Sequence, residues 1–536
     1  MLRTAASAAN APGSNGLSGQ AAGFDLTLGS GLTGLVGRNG SGKSTLLKFI
    51  AGRLSEKRSG PPLISGDVIR SGAVRLLDQT PDPTMTLSDL FEATEALADL
   101  RRAQRGEATY GPFEAVDWGL EDRIRAQLDR FGLPDLALDR SVGTLSGGQQ
   151  LRAALAALFF DPPVSAPPEI LLLDEPTNAL DLDAREALIS ALTQHKGLIL
   201  IASHDRALLE HMDRIVALEP DGSVSVTGGG WSAYSQAREA ELTRLTQALG
   251  RAERDLKQQK SHAHEAQVRQ DRRARQGKRL RDGSQSKMLL DKAKEGAERS
   301  SCGRLRAEER RASGLVERRD AMLQRVEAMT PVRMGFPAVN LPASKVVLEL
   351  DEACFVAGAH RIGPLSFSIT GPERVWLKGP NGSGKSTLLR GISGEIAPVA
   401  GQVLRQTELM RLDQSGGLQG AGTLLEVAQD EHPELTSADI RATLARAGFR
   451  GDAAEKPANA LSGGERLRAA IALMGARDDP APLLLLDEPS NHLDLDAIEA
   501  LEAGLSTWGG AMILVSHDPS FVQNLGSFRE IALDIA

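Results

Sequence analysis

A nine-residue segment that occurs twice constrains the fold of this chain more than any other feature. The first copy, residues 37–45, reads G-R-N-G-S-G-K-S-T, and the second, residues 379–387, reads G-P-N-G-S-G-K-S-T. Both match the P-loop pattern, in which backbone N–H groups surround a polyphosphate, the lysine reaches the terminal phosphates and the serine hydroxyl binds Mg²⁺. Each copy follows an apolar run and precedes a helical pattern, which is the setting a P-loop requires. The sequence therefore predicts two nucleotide-binding domains.

The two loops supply most of the predicted cofactor-binding residues. Ser44 and Ser386 are also predicted magnesium ligands, because a hydroxyl at this position of a P-loop faces the cation. The full predicted set from the loops is Gly37, Asn39, Gly40, Gly42, Lys43, Ser44, Thr45, Gly379, Asn381, Gly382, Gly384, Lys385, Ser386 and Thr387.

Four more landmarks follow each P-loop in the same order, which indicates an internal duplication. Short apolar runs alternate with helical patterns around them, so we predict two α/β domains with mostly parallel sheets. The landmarks are a glutamine after a short strand (Gln79, Gln414), a Leu-Ser-Gly-Gly segment (Ser146, Gly147, Gly148; Ser462, Gly463, Gly464), an Asp-Glu-Pro segment after four apolar residues (Asp174, Glu175; Asp487, Glu488), and a histidine after a second apolar strand (His204, His517).

The acidic pair of each copy is predicted to perform the chemistry. Asp174 and Asp487 end buried strands, where a carboxylate can hold Mg²⁺ through its water shell. Glu175 and Glu488 come next, and a carboxylate there can orient and polarise the water that attacks the γ-phosphate. The pattern predicts in-line phosphoryl transfer to water at both sites.

The histidine and the glutamine of each copy are predicted to approach the same phosphates. The carboxyl ends of parallel strands meet at one edge of a sheet, where nucleotides bind. His204 and His517 are therefore predicted to contact the γ-phosphate, with a role in catalysis. Gln79 and Gln414 are predicted to reach Mg²⁺ or the attacking water.

The Leu-Ser-Gly-Gly segments predict how the two domains pair. Ser146 and Ser462 each open a helix, and the first turn of a helix is an anion site formed by backbone N–H groups. One domain would then hold two phosphate-binding loops on different faces. Head-to-tail pairing solves this, since each P-loop then meets the Leu-Ser-Gly-Gly segment of the other domain.

The residues between the two copies differ in charge and periodicity. Residues 236–335 hold 25 Lys and Arg against 15 Asp and Glu, although the whole chain has a formal net charge of −8. Apolar residues at alternating spacings of three and four predict a helical seam, and residues 315–329 repeat it weakly. We predict a helical hairpin. The residues of the first seam are Leu242, Leu245, Leu249, Ala252 and Leu256.

The predicted tip of the hairpin lies near residues 271–286, because Gly277 and Gly283 interrupt the pattern. Basic residues concentrate there without aromatic neighbours, which predicts contact with an RNA backbone rather than stacking on bases. The basic residues are Arg269, Arg272, Arg273, Arg275, Lys278, Arg279 and Arg281.

Cysteine content and hydropathy favour a cytoplasmic protein. Cys302 and Cys354 are the two cysteines, too few for a disulfide framework. No apolar run approaches the ~18 residues that span a bilayer. The predicted domains are a flexible tail (1–22), a first nucleotide-binding domain (23–232), a basic helical hairpin linker (233–340) and a second nucleotide-binding domain (341–536).

These motifs resemble those of ATP-binding cassette proteins, and specifically those of the ABC-F family. That family has two cassettes in one chain, no membrane segment and a helical linker. Residues 487–494, D-E-P-S-N-H-L-D, are similar to its hallmark segment. The resemblance implies ATP and Mg²⁺ as cofactors, coupling of the two sites by Asp181 and Asp494, and a ribosome-associated ATPase whose linker faces tRNA and the peptidyl-transferase region from the E site.

The chain departs from the family pattern in its first half. Ala179 stands where the family has histidine. Family members also stack adenine on an aromatic residue upstream of the P-loop, and Phe355 is the candidate in the second domain. The first domain offers no aromatic residue before Phe24, and its opening strand looks eroded. We expect weaker adenine binding there, since such stacking is worth about 0.5–1.5 kcal/mol.

The predicted function is an ATP-driven clamp on the ribosome, formed by one chain with intramolecular pairing of its cassettes. ATP would close the cassettes, and hydrolysis assisted by Glu175 and Glu488 would release them. Two alternatives stay open: an ATPase subunit that pairs with a separate membrane protein in a transporter, and a DNA-associated ATPase. A role in general translation, in rescue of stalled peptides or in antibiotic protection is equally compatible with the sequence.

Overall fold

Two similar α/β domains, each built around a P-loop, form the larger part of the computed structural model. Residues Met1–Ala233 and Pro331–Ala536 form one compact unit that contains both domains, and Tyr234–Thr330 form a second unit. The structure describes residues 2–8, 23–53, 64–77, 81–106, 116–161, 170–178, 180–219, 222–280, 310, 313–326, 329–330, 334–357, 360–412, 418, 420, 422–449, 451–461, 463–476, 481–491 and 493–533.

Domain 1 contains a six-stranded sheet of order β5-β6-β7-β3-β8-β9, parallel except for β9, and a three-stranded antiparallel sheet of order β2-β1-β4. Its elements are β1 (Leu2–Ala8), β2 (Gly23–Leu28), β3 (Gly31–Gly37), α1 (Lys43–Ala51), β4 (Ile64–Arg70), β5 (Val74–Leu77), α2 (Leu87–Leu90), α3 (Thr94–Gln104), α4 (Leu120–Arg130), α5 (Gly147–Leu158), β6 (Ile170–Asp174), α6 (Leu182–Gln194), β7 (Leu198–Ala202), α7 (Arg206–Glu210), β8 (Arg214–Leu218) and β9 (Val224–Gly228).

The second unit contains most of a long helix, α8 (Trp231–Leu280). Leu245, Ala252 and Leu256 are buried there and the other seam residues are half-buried, as the periodicity predicts. The described residues 313–326 are also helical. Residues 281–309 lie outside the described part, so the hairpin stays a prediction.

The predicted break at Gly277 is wrong, because α8 continues through it to Leu280. A single glycine inside a helix costs only about 1 kcal/mol relative to alanine, which a helix of 50 residues tolerates. The basic residues from Arg269 to Arg279 therefore belong to the helix, not to a loop. Arg281 lies outside the described residues.

Domain 2 repeats the architecture with a five-stranded parallel sheet of order β14-β15-β16-β12-β17 and a three-stranded antiparallel sheet of order β11-β10-β13. Its elements are β10 (Val346–Ala357), β11 (His360–Thr370), β12 (Arg374–Lys378), α9 (Lys385–Ser393), β13 (Ala400–Arg405), β14 (Leu409–Leu412), α10 (Leu424–Glu431), α11 (Ser437–Arg446), α12 (Gly463–Met474), β15 (Leu483–Asp487), α13 (Leu495–Ser506), β16 (Ala511–Val515), α14 (Pro519–Leu525) and β17 (Arg529–Ala532).

The central strands are buried on both faces because helices cover both sides of a mostly parallel sheet. Every residue of β6 and β7 is buried, and so is every residue of β15 and β16. Apolar residues of α1 pack on the sheet of domain 1, and those of α9 pack on the sheet of domain 2. The continuous apolar runs that predicted parallel strands are thus explained by two-sided burial.

The predicted flexible tail is wrong for residues 2–8, which form β1. This strand pairs with β2 on one side and with β4 on the other. The sequence of β1 has little apolar alternation, so its strand character comes from backbone hydrogen bonds to two neighbours, which side-chain pattern does not report. The opening of domain 1 is therefore a complete three-stranded sheet.

The linker ends earlier than predicted. The second compact unit ends at Thr330 rather than at residue 340. Met334 belongs to a buried core of domain 2, and the ring of Phe336 meets that of Trp508 edge-on at a centroid distance of 6.1 Å. None of the described helices combines the length and the apolarity that crossing a membrane requires.

Candidate active site

The strand order brings the predicted catalytic segments of each domain to one sheet edge. In domain 1, β3 lies between β7 and β8, and β6 lies next to β7. The P-loop follows β3, Glu175 follows β6 and His204 follows β7. Domain 2 repeats this, with β12 between β16 and β17 and with β15 next to β16. Because these strands are parallel, their carboxyl ends form one cleft.

Each P-loop ends in a glycine whose backbone conformation fixes the start of a helix. Gly42 has φ 94° and precedes α1, and Gly384 has φ 90° and precedes α9. This left-handed region is open to glycine and strained for other residues. The turn aims the first N–H groups of the helix at the cleft, where they form an anion site.

The P-loop lysines are held inside their own loops. Lys43 Nζ donates to the carbonyl of Gly37 at 2.7 Å, and Lys385 Nζ donates to that of Gly379 at 2.7 Å. Burial lowers the pKa of both amino groups, and nearby carboxylates oppose that shift. The arrangement places a buried cation beside each phosphate-binding loop.

A serine and an aspartate meet where the magnesium ion is predicted to bind. Ser386 Oγ donates to Asp487 Oδ1 at 3.2 Å, and the carboxylates of Asp174 and Asp487 are both buried. Hydroxyl and carboxylate oxygens are the ligands that Mg²⁺ prefers. The described residues contain no cluster of three or more His, Cys, Asp or Glu side chains that could hold a metal ion.

The two predicted catalytic glutamates share an unusual backbone conformation. Glu175 has φ 48° and Glu488 has φ 49°, values that residues with side chains seldom adopt. Each backbone N–H is held across the sheet, by Ala202 O at 2.8 Å and by Val515 O at 3.0 Å. Strained conformations of this kind persist where surrounding structure fixes a functional group. Here they present the carboxylate to the cleft.

Each glutamate lies beside the histidine of its own domain. Glu175 Oε1 is 3.4 Å from His204 Nε2, and Glu488 Oε1 is 3.5 Å from His517 Nε2. Burial raises the pKa of both glutamates to about 7. Burial lowers the pKa of His204 to about 3 and that of His517 to about 4. The histidines are therefore neutral near pH 7, and the glutamates can both accept and release a proton there.

We expect kcat/KM for ATP to rise about tenfold between pH 6 and pH 8, because a base with a pKa near 7 is mostly protonated at the lower pH and mostly ionised at the upper one. Initial rates of phosphate release across this range check the expectation. ATP binding to the Glu175→Gln/Glu488→Gln variant, measured over the same range, corrects for titration of the nucleotide. A profile that stays flat after this correction would exclude a glutamate base.

The first P-loop also contacts the opposite domain, in part through Arg38 and Asp496, which sequence reasoning did not select. Arg38 Nε forms an ion pair with Asp496 Oδ2 at 2.8 Å. The backbone N–H of Asn39 donates to Asp494 Oδ2 at 3.0 Å. Asp494 caps α13 with its other oxygen, since Oδ1 accepts from Ala497 N at 3.0 Å. Asp494, for which the resemblance implies a coupling role, is thus in direct contact with the first P-loop. The sequence signal that was missed is Arg38, a charged residue inside the P-loop.

A cavity of about 240 Å³ lies between the two domains beside these contacts. Glu175 and His204 line it from domain 1, and Asn491 and Asp518 line it from domain 2. Arg185 also lines it and forms an ion pair with Asp205 at 2.8 Å. Residues of both halves therefore line one polar cavity.

Several predicted site residues take no part in this described geometry. Gln79, Gln414 and Ser462 lie outside the described residues. Ser146 caps α5, where its hydroxyl accepts from Gln149 N at 3.3 Å. The predicted meeting of each P-loop with the opposite Leu-Ser-Gly-Gly segment therefore stays a prediction. The first turns of the two helices contain Gly147, Gly148, Gly463 and Gly464.

Phe355 is wrong as the adenine-stacking residue of the second site. Its side chain is 0% exposed and belongs to the core between β10 and α9. A Cβ atom added at Gly391 would lie 2.2 Å from its ring, which shows how closely the helix covers it. Successive residues of a strand face opposite sides, so Val356 is exposed and Phe355 is inside. The position of Phe355 along the chain, upstream of the second P-loop, does not indicate which face of β10 its ring lies on.

The family model described as ABC transporter matches residues 22–178 and 362–491, which include both P-loops and both acidic pairs. The chain belongs to the ATP-binding cassette family. It is 34% identical to the tylosin resistance ATP-binding protein TlrC of Streptomyces fradiae, over 90% of this chain and 89% of that protein. It is also 31% identical to the ATP-binding protein Uup of Haemophilus influenzae, over 91% and 72% of the two chains.

A further relative carries the ABC-F family in its name. The ABC transporter F family member 3 of Arabidopsis thaliana is 28% identical over 93% of this chain and 68% of that protein. The fold also resembles that of the RNase-L inhibitor, with a TM-score of 0.52 and 20% identity over 94% of this chain and 84% of that one. Two ATP-binding cassettes in one chain, together with these relatives, identify this protein as an ABC-F ATPase that binds and hydrolyses ATP.

Proposed function

We propose that this ABC-F ATPase is a clamp whose two cassettes close on two ATP·Mg²⁺ and act on the ribosome in the cytoplasm. The observation that supports it best is the contact of Asn39 in the first P-loop with Asp494 of the other cassette. A loop that binds phosphate on one side and the opposite cassette on the other can report nucleotide occupancy to that cassette. Closure and hydrolysis would then alternate.

The residues of each site have the following proposed roles. Lys43 and Lys385 neutralise charge on the terminal phosphates, and Ser44 and Ser386 with Asp174 and Asp487 hold Mg²⁺. Glu175 and Glu488 orient the attacking water and accept its proton. His204 and His517, neutral and next to the glutamates, donate to the γ-phosphate. A bound Mg²⁺ supplies charge stabilisation to the transferred phosphoryl group.

The proposed partner surface is the basic stretch that ends α8. Arg269 and Arg272 are exposed there, and Arg269 forms an ion pair with Glu265 at 3.5 Å. A cluster of cations on a protein of net charge −8 favours a polyanion such as ribosomal or transfer RNA. The name of the relative TlrC refers to tylosin resistance, so among ribosomal roles we favour antibiotic protection.

Co-sedimentation of the Glu175→Gln/Glu488→Gln variant with ribosomes tests the proposal. With ATP this variant is expected to stay closed and to pellet with 70S ribosomes at low salt, whereas the wild type is released by hydrolysis. Parallel samples with tylosin-bound ribosomes ask whether the antibiotic complex is preferred. If the trapped variant stays in the supernatant in all samples, the ribosome is the wrong partner.

Neutralising two arginines in the trapped variant tests the surface itself. Arg269→Gln/Arg272→Gln should weaken binding and lower its salt dependence, because the variant neutralises fewer phosphates and so releases fewer counterions from the RNA. The matched control is Arg101→Gln/Arg102→Gln, which removes two exposed arginines from α3 in domain 1. Equally weakened binding in both variants would show that net charge, not the hairpin, determines binding.

A further inference from the structure

A buried ion pair joins the two cassettes away from the phosphate-binding loops. Arg206 Nη1 donates to both carboxylate oxygens of Glu502, at 2.8 Å and 2.9 Å. The residues are 7% and 9% exposed, and Asn524 Nδ2 donates to Glu502 Oε1 at 3.1 Å. Arg206 begins α7 of domain 1, and Glu502 lies on α13 of domain 2. The pair is therefore a fixed contact inside the interface.

Stability alone is a poor reason for such a pair. Desolvation of two charges cancels most of their attraction, and apolar residues of similar size often serve equally well. Removing one partner is different, because it leaves an uncompensated buried charge at a cost of about 3–5 kcal/mol in comparable systems. The ion pair instead holds α7 and α13 in one defined relative orientation.

The pair lies close in sequence to the first catalytic histidine. Arg206 comes two residues after His204, and Asp205 between them caps α7 by accepting from Leu208 N at 3.2 Å. The backbone of Arg206 is thus fixed to the turn that presents His204 to the cleft. A displacement of the Arg206 side chain therefore shifts the turn that contains His204, because only two peptide bonds separate the two residues.

Helix α13 contacts the first ATP site at two places. Its N-terminal end meets the first P-loop through Asp494 and Asp496, and Glu502 near its C-terminal end holds Arg206. The helix has 12 residues, about 18 Å at 1.5 Å per residue. One rigid element of cassette 2 therefore holds both the P-loop and the histidine turn of cassette 1.

The internal duplication does not reproduce these contacts at the second site. Pro519 occupies the position of Arg206 after the second Ser-His-Asp segment, and Pro380 occupies that of Arg38. Ile189 lies eight residues after Asp181, as Glu502 lies eight after Asp494. Proline and isoleucine carry no charge, so the corresponding ion pairs cannot form. Among the described residues, these two ion pairs therefore belong to the first site and are not repeated at the corresponding positions of the second.

We propose that Arg206 and Glu502 are positioning residues that couple turnover at the first ATP site, and not at the second, to helix α13 of cassette 2. The inference rests on the proposed composite sites but is independent of any ribosomal role. When α13 packs against cassette 1, it fixes the position of the first P-loop and that of His204 at the same time. The second site closes without this contact.

Single-site variants test the proposal in the full-length protein without ribosomes. Glu488→Gln leaves the first site active, and Glu175→Gln leaves the second. In the first background, Arg206→Met/Glu502→Met is expected to lower kcat by at least about tenfold with little change in KM, because a misplacement near 1 Å can cost more than that. In the second background the loss is expected to stay below about twofold. In the Glu488→Gln background, Arg206→Lys keeps the charge and should therefore retain more of the first-site rate than the double methionine variant does.

Melting temperatures separate positioning from folding. The double methionine variant removes both charges, so its Tm should lie close to that of the parent, whereas Arg206→Met alone should melt lower. The matched control is Arg441→Met/Glu455→Met, an exposed pair of 2.8 Å within cassette 2, which should change neither site.

Equal losses at both sites, or a normal first-site kcat in the double methionine variant, would overturn the proposal. The parents check the glutamate assignment separately. If both the Glu488→Gln and the Glu175→Gln parents keep wild-type turnover, the assignment of the glutamates as catalytic bases fails. The role of the ion pair is then decided by the same comparison in Lys43→Ala and Lys385→Ala backgrounds, each of which is blocked in ATP binding at one site.

Discussion

Replacing Glu175 and Glu488 together by glutamine is expected to lower kcat for ATP hydrolysis by about 10²–10⁴-fold, the range that a positioned general base contributes. Glutamine keeps the size and one oxygen of the side chain but cannot accept the proton of water. The strained backbone at both positions holds the side chain in place in either case, so ATP binding should persist. Phosphate release and nucleotide affinity, measured on the same samples, check both statements.

The single variants divide this loss between the two sites. Each should retain the turnover of the unchanged site. Glu186→Gln serves as the control, because Glu186 is an exposed glutamate on α6 and its change should leave the rate as it is. A double variant that still turns over within about tenfold of wild type would mean that another group accepts the proton.

Replacing Phe355 by alanine is expected to destabilise the protein by about 3–5 kcal/mol, the cost of deleting a fully buried aromatic side chain. The ring fills the space between β10 and α9 and touches Gly391 of that helix. Alanine would leave a cavity that α9 cannot close without moving the P-loop before it. Denaturant unfolding of the full-length protein measures the loss.

ATP affinity distinguishes this structural role from adenine stacking. Well below the melting temperature, the Phe355→Ala variant should bind ATP within about twofold of wild type, since stacking contributes about 0.5–1.5 kcal/mol only where ring and base touch. Val356→Ala on the exposed side of the same strand is the control and should cost little stability. A loss of affinity of about tenfold at unchanged stability would restore Phe355 as the adenine contact.

The candidate catalytic segments could be located from the sequence because each is a short contiguous motif. Residues 37–45, with the apolar run before them and the helical pattern after them, indicate a strand, a loop and a helix, and Asp174 with Glu175 follows a run of four apolar residues. Motifs of this kind depend on local geometry, so duplication and order sufficed to predict that they share one sheet edge. The parallel pairing of β3, β6 and β7 confirms that prediction.

The errors arose where a local pattern competes with distant partners. Gly277 predicted a break, but the helix extends past it. Residues 2–8 predicted a tail, yet two strands that follow later in the chain pair with them. Phe355 was judged by its distance from the P-loop along the chain, whereas the face of β10 decides whether its ring is buried.

The sequence by itself determined that this protein is a twin-cassette ATPase, and it predicted which acidic, basic and hydroxyl groups bind and hydrolyse the nucleotide. Only the tertiary structure decided which residues the two cassettes share. Arg38 with Asp496, and Arg206 with Glu502, are 458 and 296 residues apart, and no periodicity relates such positions. Contacts at an interface depend on how two folded surfaces pack against each other. In a duplicated chain, the packed interface is therefore where differences between the two halves become visible.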